Sequence, residues 1–107
     1  MKLTVVCEAW KTYRKNTLKG FATIKLVELD LSISDIGLHT SHGKAWAALP
    51  SKARVKDGRH VSEAGKFAYD NIFKFGREEV RRAFSDRVVE AVARFDPHAL
   101  ADDGGVT

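Results

Sequence analysis

Apolar side chains recur at every second position in several runs between residues 3 and 49 of this chain, and at helical spacing from residue 77 to residue 95. A period of two belongs to strands and one of 3.6 to a helix, so the pattern predicts a sheet first and a single helix after it. Leu3, Val5, Cys7 and Ala9 alternate with Thr4, Val6, Glu8 and Trp10, which reads as a strand. Lys11 to Gly20 gathers Lys11, Arg14, Lys15 and Lys19 with Asn16 and reads as a basic turn or loop. In the next strand, Phe21 to Glu28, Ala22, Ile24 and Leu26 share a face opposite Phe21, Thr23, Lys25 and Val27.

The alternation then slips. Leu29, Leu31 and Ile33 hold one parity, Ile36 and Leu38 the other. A β-bulge near Ser34–Asp35 restores both sets to one face; the alternative is a break between two strands. His39 to Lys44 is polar and carries Gly43, a hairpin connection, and Ala45 to Leu49 is a short strand ended by Pro50. Pro50 to Lys66, with Gly58, Gly65 and a series of cations, reads as a loop or arm. Phe67 to Phe75 reads as a short extended segment closing the sheet.

From Arg77 to Phe95, Val80, Ala83, Phe84, Val88, Ala91, Val92 and Phe95 fall in one apolar arc of a helix. Glu78 and Glu79 suit its first turn, Asp96–Pro97 stops it, and Glu78–Arg82 and Glu90–Arg94 have i,i+4 spacing. The fold class expected is α+β: an antiparallel β-sheet of four to five strands followed by one long C-terminal helix. Residues 1–97 form a single domain in this reading, and 98–107 a disordered acidic tail. One helix covers one sheet face, so the remaining apolar surface predicts a homodimer, through strand edges or through helices.

A chain of 107 residues suits one core, and 44% hydrophobic with 30% charged residues is a globular composition. The single Cys7 excludes an internal disulfide, no signal-peptide order is present at the N-terminus, and no apolar run approaches the roughly 20 residues of a membrane span. A cytoplasmic protein is the expectation. The net charge of +4 is unevenly placed: residues 1–60 hold 11 basic against 5 acidic side chains, residues 61–107 hold 7 against 9. A cationic first half favours a polyanionic partner, nucleic acid before an anionic membrane.

The run from Gly20 to Lys52, with GFATIKL, then DLSISDIGLH, the turn TSHGK and the closing AWAALPSK, resembles the SpoVG septation-protein family. Leu49-Pro50-Ser51-Lys52 after a hairpin is its most specific part. Asp57–Gly58 fills the place of the family's basic Asp-Gly loop, Phe67 to Phe73 that of its aromatic segment, and Val80 to Val92 that of its C-terminal helix, so the likeness spans about residues 3–92. The loop after Lys52 is longer here, the segment from Lys66 more aromatic, and the acidic tail additional. The resemblance implies a small dimeric protein that binds nucleic acid and acts in regulation.

The residues themselves point to two basic patches. Lys52, Arg54, Lys56 and Arg59, with His60, lie in the loop after Pro50, where Lys and Arg on a Gly-flanked arm can neutralise phosphates along a backbone. Lys11, Arg14, Lys15 and Lys19 form the second, with Tyr13 and Trp10 as rings on which bases could stack, although Trp10 also fits a buried anchor. Trp46 is expected on the sheet face away from the helix. Arg81, Arg82, Arg87 and Arg94 are interleaved with acids and fit surface ion pairs better than a groove. His39 and His42 lack the companions of a closed zinc site, Cys7 reads as a packing residue, and no base stands beside a nucleophile. No cofactor, metal or catalysis is expected. The expected partner is DNA or RNA; the rival readings are a single-stranded DNA-binding coactivator-like protein and a protein-interaction module.

Overall fold

The computed structural model describes residues 3–63 and 65–101. Four strands, β1 (Val5–Lys15), β2 (Leu18–Leu26), β3 (Leu31–Ser41) and β4 (Lys44–Ala48), form one antiparallel sheet in sequential order. After it come six short strands and α1 (Glu78–Phe95), the α+β layout that the two periods predict.

Helix α1 packs on one sheet face. Its Val88, Ala91 and Val92 meet Val5, Ala22, Ile24, Leu26, Ile36, Leu38 and Ala47 in the core, where Ile24, Ile36, Leu38, Val88 and Val92 are fully buried. Full burial of one such side chain contributes about 1.5–3 kcal/mol. The arc is rotated from the one periodicity gives: Val80 and Phe95 are exposed, as is Ala83, and Ser85 is buried instead. The Ser85 hydroxyl accepts a 2.8 Å hydrogen bond from the Ala47 N–H on the outer strand β4. The helix thus satisfies part of that sheet edge. Glu78 pairs with Arg81 at 2.6 Å and lies 3.7 Å from Arg82, whereas Glu90 and Arg94 make no ion pair among the described residues.

Bulges decide which side chain faces the helix. Ala22 pairs with Ile36 and Ile24 with Ile33, so β3 carries one extra residue, and Asp35 adopts φ 59°. This is the bulge, rather than a break, and Ile33, Ile36 and Leu38 share the core side. A second bulge was not visible in the alternation. Cys7 pairs with Ile24 and Ala9 with Thr23, so Glu8 is extra, its carboxylate accepting a 2.7 Å bond from Ser32. Beyond it the parity reverses: Trp10 turns to the core side, and Ala9, Lys11 and Tyr13 turn away.

Lys11 to Lys15 belong to a strand, not to a loop as expected; only Asn16 and Thr17 make the turn. An exposed edge strand tolerates long cationic side chains, so composition concealed it. Phe67–Phe75 also departs from expectation, since β10 (Tyr69–Asn71) pairs with β5 (Ser51–Ala53) and not with the main sheet. The β4 edge it would have joined is engaged by α1. The disordered acidic tail expected over 98–107 does not hold at its start, where Ala99 is buried and Leu100 packs against the core; residues 102–107 lie outside the described residues. No described helix is long and apolar enough to cross a membrane.

Candidate nucleic-acid interface

Residues 51–71 build an arm from three two-stranded pieces. β5 pairs with β10, β6 (Val55–Lys56) with β7 (Arg59–His60), and β8 (Ser62–Glu63) with β9 (Lys66–Phe67). They meet at a hub in which three backbone hydrogen bonds form a ring: Arg54 N–H to Ala68 O at 2.9 Å, Val61 N–H to Arg54 O at 2.9 Å, and Ala68 N–H to Val61 O at 2.7 Å. Six residues lie between Arg54 and Val61 and six between Val61 and Ala68, so the two outer hairpins are of equal length. The inner piece joins the hub to the sheet through Leu49 and Pro50. The radius of gyration of 14.9 Å exceeds the roughly 13 Å of a compact chain this long, as a projecting arm requires.

The four cations expected on this loop divide. Arg54 is turned inward on Asp70, with Nε at 3.1 Å and Nη2 at 2.9 Å from one carboxylate oxygen. It braces the hub, and with its side chain 44% exposed and that of Asp70 41%, the pair contributes at most about 1 kcal/mol. Lys56 and Arg59 face each other across the β6–β7 hairpin, whose Asp57–Gly58 turn has φ 54° and 76°, the left-handed pair of a tight hairpin. Neither side chain has an ion-pair partner among the described residues. Like charges directly opposite repel, and an anion placed between them removes the penalty. Lys52 is exposed beside Asp70 on the paired strand. Apolar rings accompany the cations: Phe67 is 56% and Tyr69 57% exposed, and His60 meets the Phe67 ring edge-on at 4.9 Å between centroids.

The second patch is dispersed. Lys11 lies opposite Phe21 and Lys15 opposite Leu18, both on the sheet face away from α1. Arg14 reaches the other way, its guanidinium donating to the Ala101 carbonyl at 3.4 Å, and Lys19 lines a hollow with Thr40 and Leu100 on the helix side. Sequence proximity therefore overstated this cluster, because bulges at Glu8 and Lys19 re-aim the side chains. Trp10 packs across Gly20 and donates from Nε1 to the Thr12 hydroxyl at 3.0 Å, the anchor role.

On the uncovered sheet face, the His39 and Trp46 rings stack with centroids 5.5 Å apart and planes 5° apart, as the pairing of β3 with β4 requires. The His39 Nδ1 is 3.0 Å from the Thr17 hydroxyl, and burial holds its pKa below the ordinary histidine value of about 6.5, favouring neutral imidazole. Tyr13 and Phe21 form another ring pair at 6.1 Å. The sequence reading missed this second pair because the Glu8 bulge places Tyr13 there; the signal was Trp10, an aromatic at odds with the parity of Leu3 and Val5. Burial raises the Cys7 thiol, consistent with packing rather than reactivity. No group of three or more metal-ligating side chains occurs among the described residues.

Comparison with protein-family models, with curated proteins and with solved structures gives no match.

Proposed function

We propose that this chain is a non-enzymatic regulatory protein of the SpoVG type that binds the phosphate backbone of DNA or RNA as a homodimer, with the arm after Pro50 as its principal contact. One observation carries the reading: Lys56 and Arg59 are paired across a braced hairpin at its tip, flanking Asp57–Gly58, and neither makes an ion pair among the described residues. Lys52 and the exposed Phe67 and Tyr69 rings extend the same arm, giving cations for phosphates and faces for bases or sugars. Arg54 acts behind them as a brace. The dimer is supported by β1, an edge strand of 11 residues, and by the exposed Val6 and Phe95, which line one hollow beside that edge.

Fluorescence anisotropy with labelled duplex DNA, single-stranded DNA and RNA across a salt series tests this. Replacing Lys56 and Arg59 together by Ala is expected to weaken binding at low salt and to reduce the slope of log affinity against log salt by about 2, one phosphate for each lost cation. Unchanged affinity and slope would remove the arm from the interface. Exposed Val55, Ile72 and Phe73 favour a second reading, a protein-interaction module, and it gains if no polymer binds at low salt.

A further inference from the structure

We infer that the sheet face left open by α1 is a stacking platform for single-stranded nucleic acid, a site separate from the arm that gives the protein preference for unpaired bases. The inference rests on the nucleic-acid reading for the class of polymer, and on different residues for the site.

Two ring pairs lie on this face. Tyr13 and Phe21 bridge β1 and β2; His39 and Trp46 bridge β3 and β4. With strands about 4.8 Å apart, the midlines of the two pairs are separated by roughly 10 Å across the sheet. In register with Phe21 come Gly37 and then Ala48, and opposite His39 comes Leu18, so the floor between the pairs is made of small or apolar residues. A Cβ on Gly37 would lie 3.4 Å from His39 Nε2 and 3.5 Å from a Leu18 methyl, so the glycine lets these side chains close over the backbone and keeps the floor low. Tyr13 is exposed and Phe21, His39 and Trp46 are half-buried, with His39 and Trp46 covering one face of each other; rings accessible on adjacent strands of a sheet are what splayed bases stack on, whereas bases already paired in a duplex present only edges to a flat surface.

Charge on this face has a direction. Lys15 follows the parity of Leu18 at the end of the sheet where the rings lie, Lys11 flanks Phe21, and Lys44 stands at the β3–β4 turn, on the rim of the hollow that Lys19 also lines. The acids Glu8 and Asp30 belong to the opposite half, where Glu8 holds Ser32 and Asp30 holds Lys25 at 2.9 Å; Asp35 lines the hollow of Tyr13 and Phe21, together with Lys11. The aromatic half is therefore the cationic half, and the polymer of matching chemistry is a flexible chain of flat bases joined by phosphates. A second copy of the protein would meet like charge there.

The test uses the Trp10→Phe protein, in which Trp46 is the remaining tryptophan, titrated with a six-residue oligothymidine and with a DNA hairpin duplex. Oligothymidine is expected to quench Trp46 emission by half or more at saturation, and the duplex to leave it nearly unchanged. Tyr13→Ser, at an exposed position, and the conservative Phe21→Leu are each expected to weaken oligothymidine binding about 5- to 150-fold, the worth of one base on one ring. The Lys56→Ala, Arg59→Ala protein retains the quenching. Oligothymidine binding without quenching and without dependence on Tyr13 or Phe21 overturns the platform and leaves the arm intact. Emission that changes with protein concentration alone also overturns it, assigning the face to a second copy. Failure of every polynucleotide at low salt removes both sites.

Discussion

Gly20 shows how far one side chain is constrained here. A Cβ at this position would lie 2.4 Å from the Lys11 carbonyl oxygen and 2.6 Å from the Trp10 ring, and the first of these is backbone that cannot swing aside. Gly20→Ala is expected to destabilise the fold by about 1–3 kcal/mol, read as a lowered denaturant midpoint, through overpacking rather than loss of contact. His39 makes the complementary case for charge. Its pKa is depressed by burial in the fold, so the unfolded chain binds the proton more readily; the stabilising contribution is complete above the unfolded value of about 6.5 and is lost as pH falls through the folded value. Denaturation midpoints at pH 5 and 7.5 are expected to differ in that direction, and His39→Gln to narrow the difference. The ring stacked on Trp46 is the reason such a small polar group is half-buried on an open face.

The elements were legible to different degrees, and bulges mark the boundary. Strands β2 and β3 could be read because Ala22, Ile24 and Leu26 face Ile33, Ile36 and Leu38, and a slip in parity advertises an added residue. The bulge in β1 left no such trace, since Ala9 on one side and Trp10 on the other satisfy either register; the aromatic half of the candidate platform went unread with it. Helix α1 was evident from its period, but its orientation was decided by Ser85, whose value lies in an edge N–H that no local pattern announces. The arm was invisible as structure because its strands are two or three residues long and its organising bonds are backbone to backbone. As an element it is braced by the Arg54–Asp70 ion pair. Asp70→Asn is expected to raise amide exchange at Arg54, Val61 and Ala68 while leaving β1–β4 protected, since the arm has its own strand pairing apart from the sheet. Equal acceleration in both would show that arm and sheet open as one unit.

Over the whole molecule, the two sheet faces and the arm differ in what they expose. The helix side closes on the core, the opposite face carries rings with lysines, and the arm projects with two facing cations. Apolar exposure at Val27, Leu29 and Leu31, and at Val6 and Phe95, lies away from both candidate contact regions. Sedimentation equilibrium is expected to give twice the chain mass of 11.9 kDa, and Val6→Asp with Phe95→Asp to return the single-chain mass if the β1 edge forms the junction. Binding to long single strands would then fall with dimer loss through reduced avidity, even though no nucleotide contact is altered. The amino-acid order foretold the architecture because two hydrophobic periods leave few alternatives; it did not foretell where the basic side chains lie, because cations adjacent along the chain are dispersed by the pleat and its bulges.

The ring of bonds at Arg54, Val61 and Ala68 also separates geometry from length. What lies beyond the hub, at Asp57–Gly58 on one finger, answers to no neighbouring side chain, since a Cβ at Gly58 would meet nothing within 4 Å. That fingertip has room around it but little backbone latitude, since Gly58 sits at φ 76°, so a side chain placed there strains the turn that presents Lys56 and Arg59 while the knuckle behind it keeps its shape.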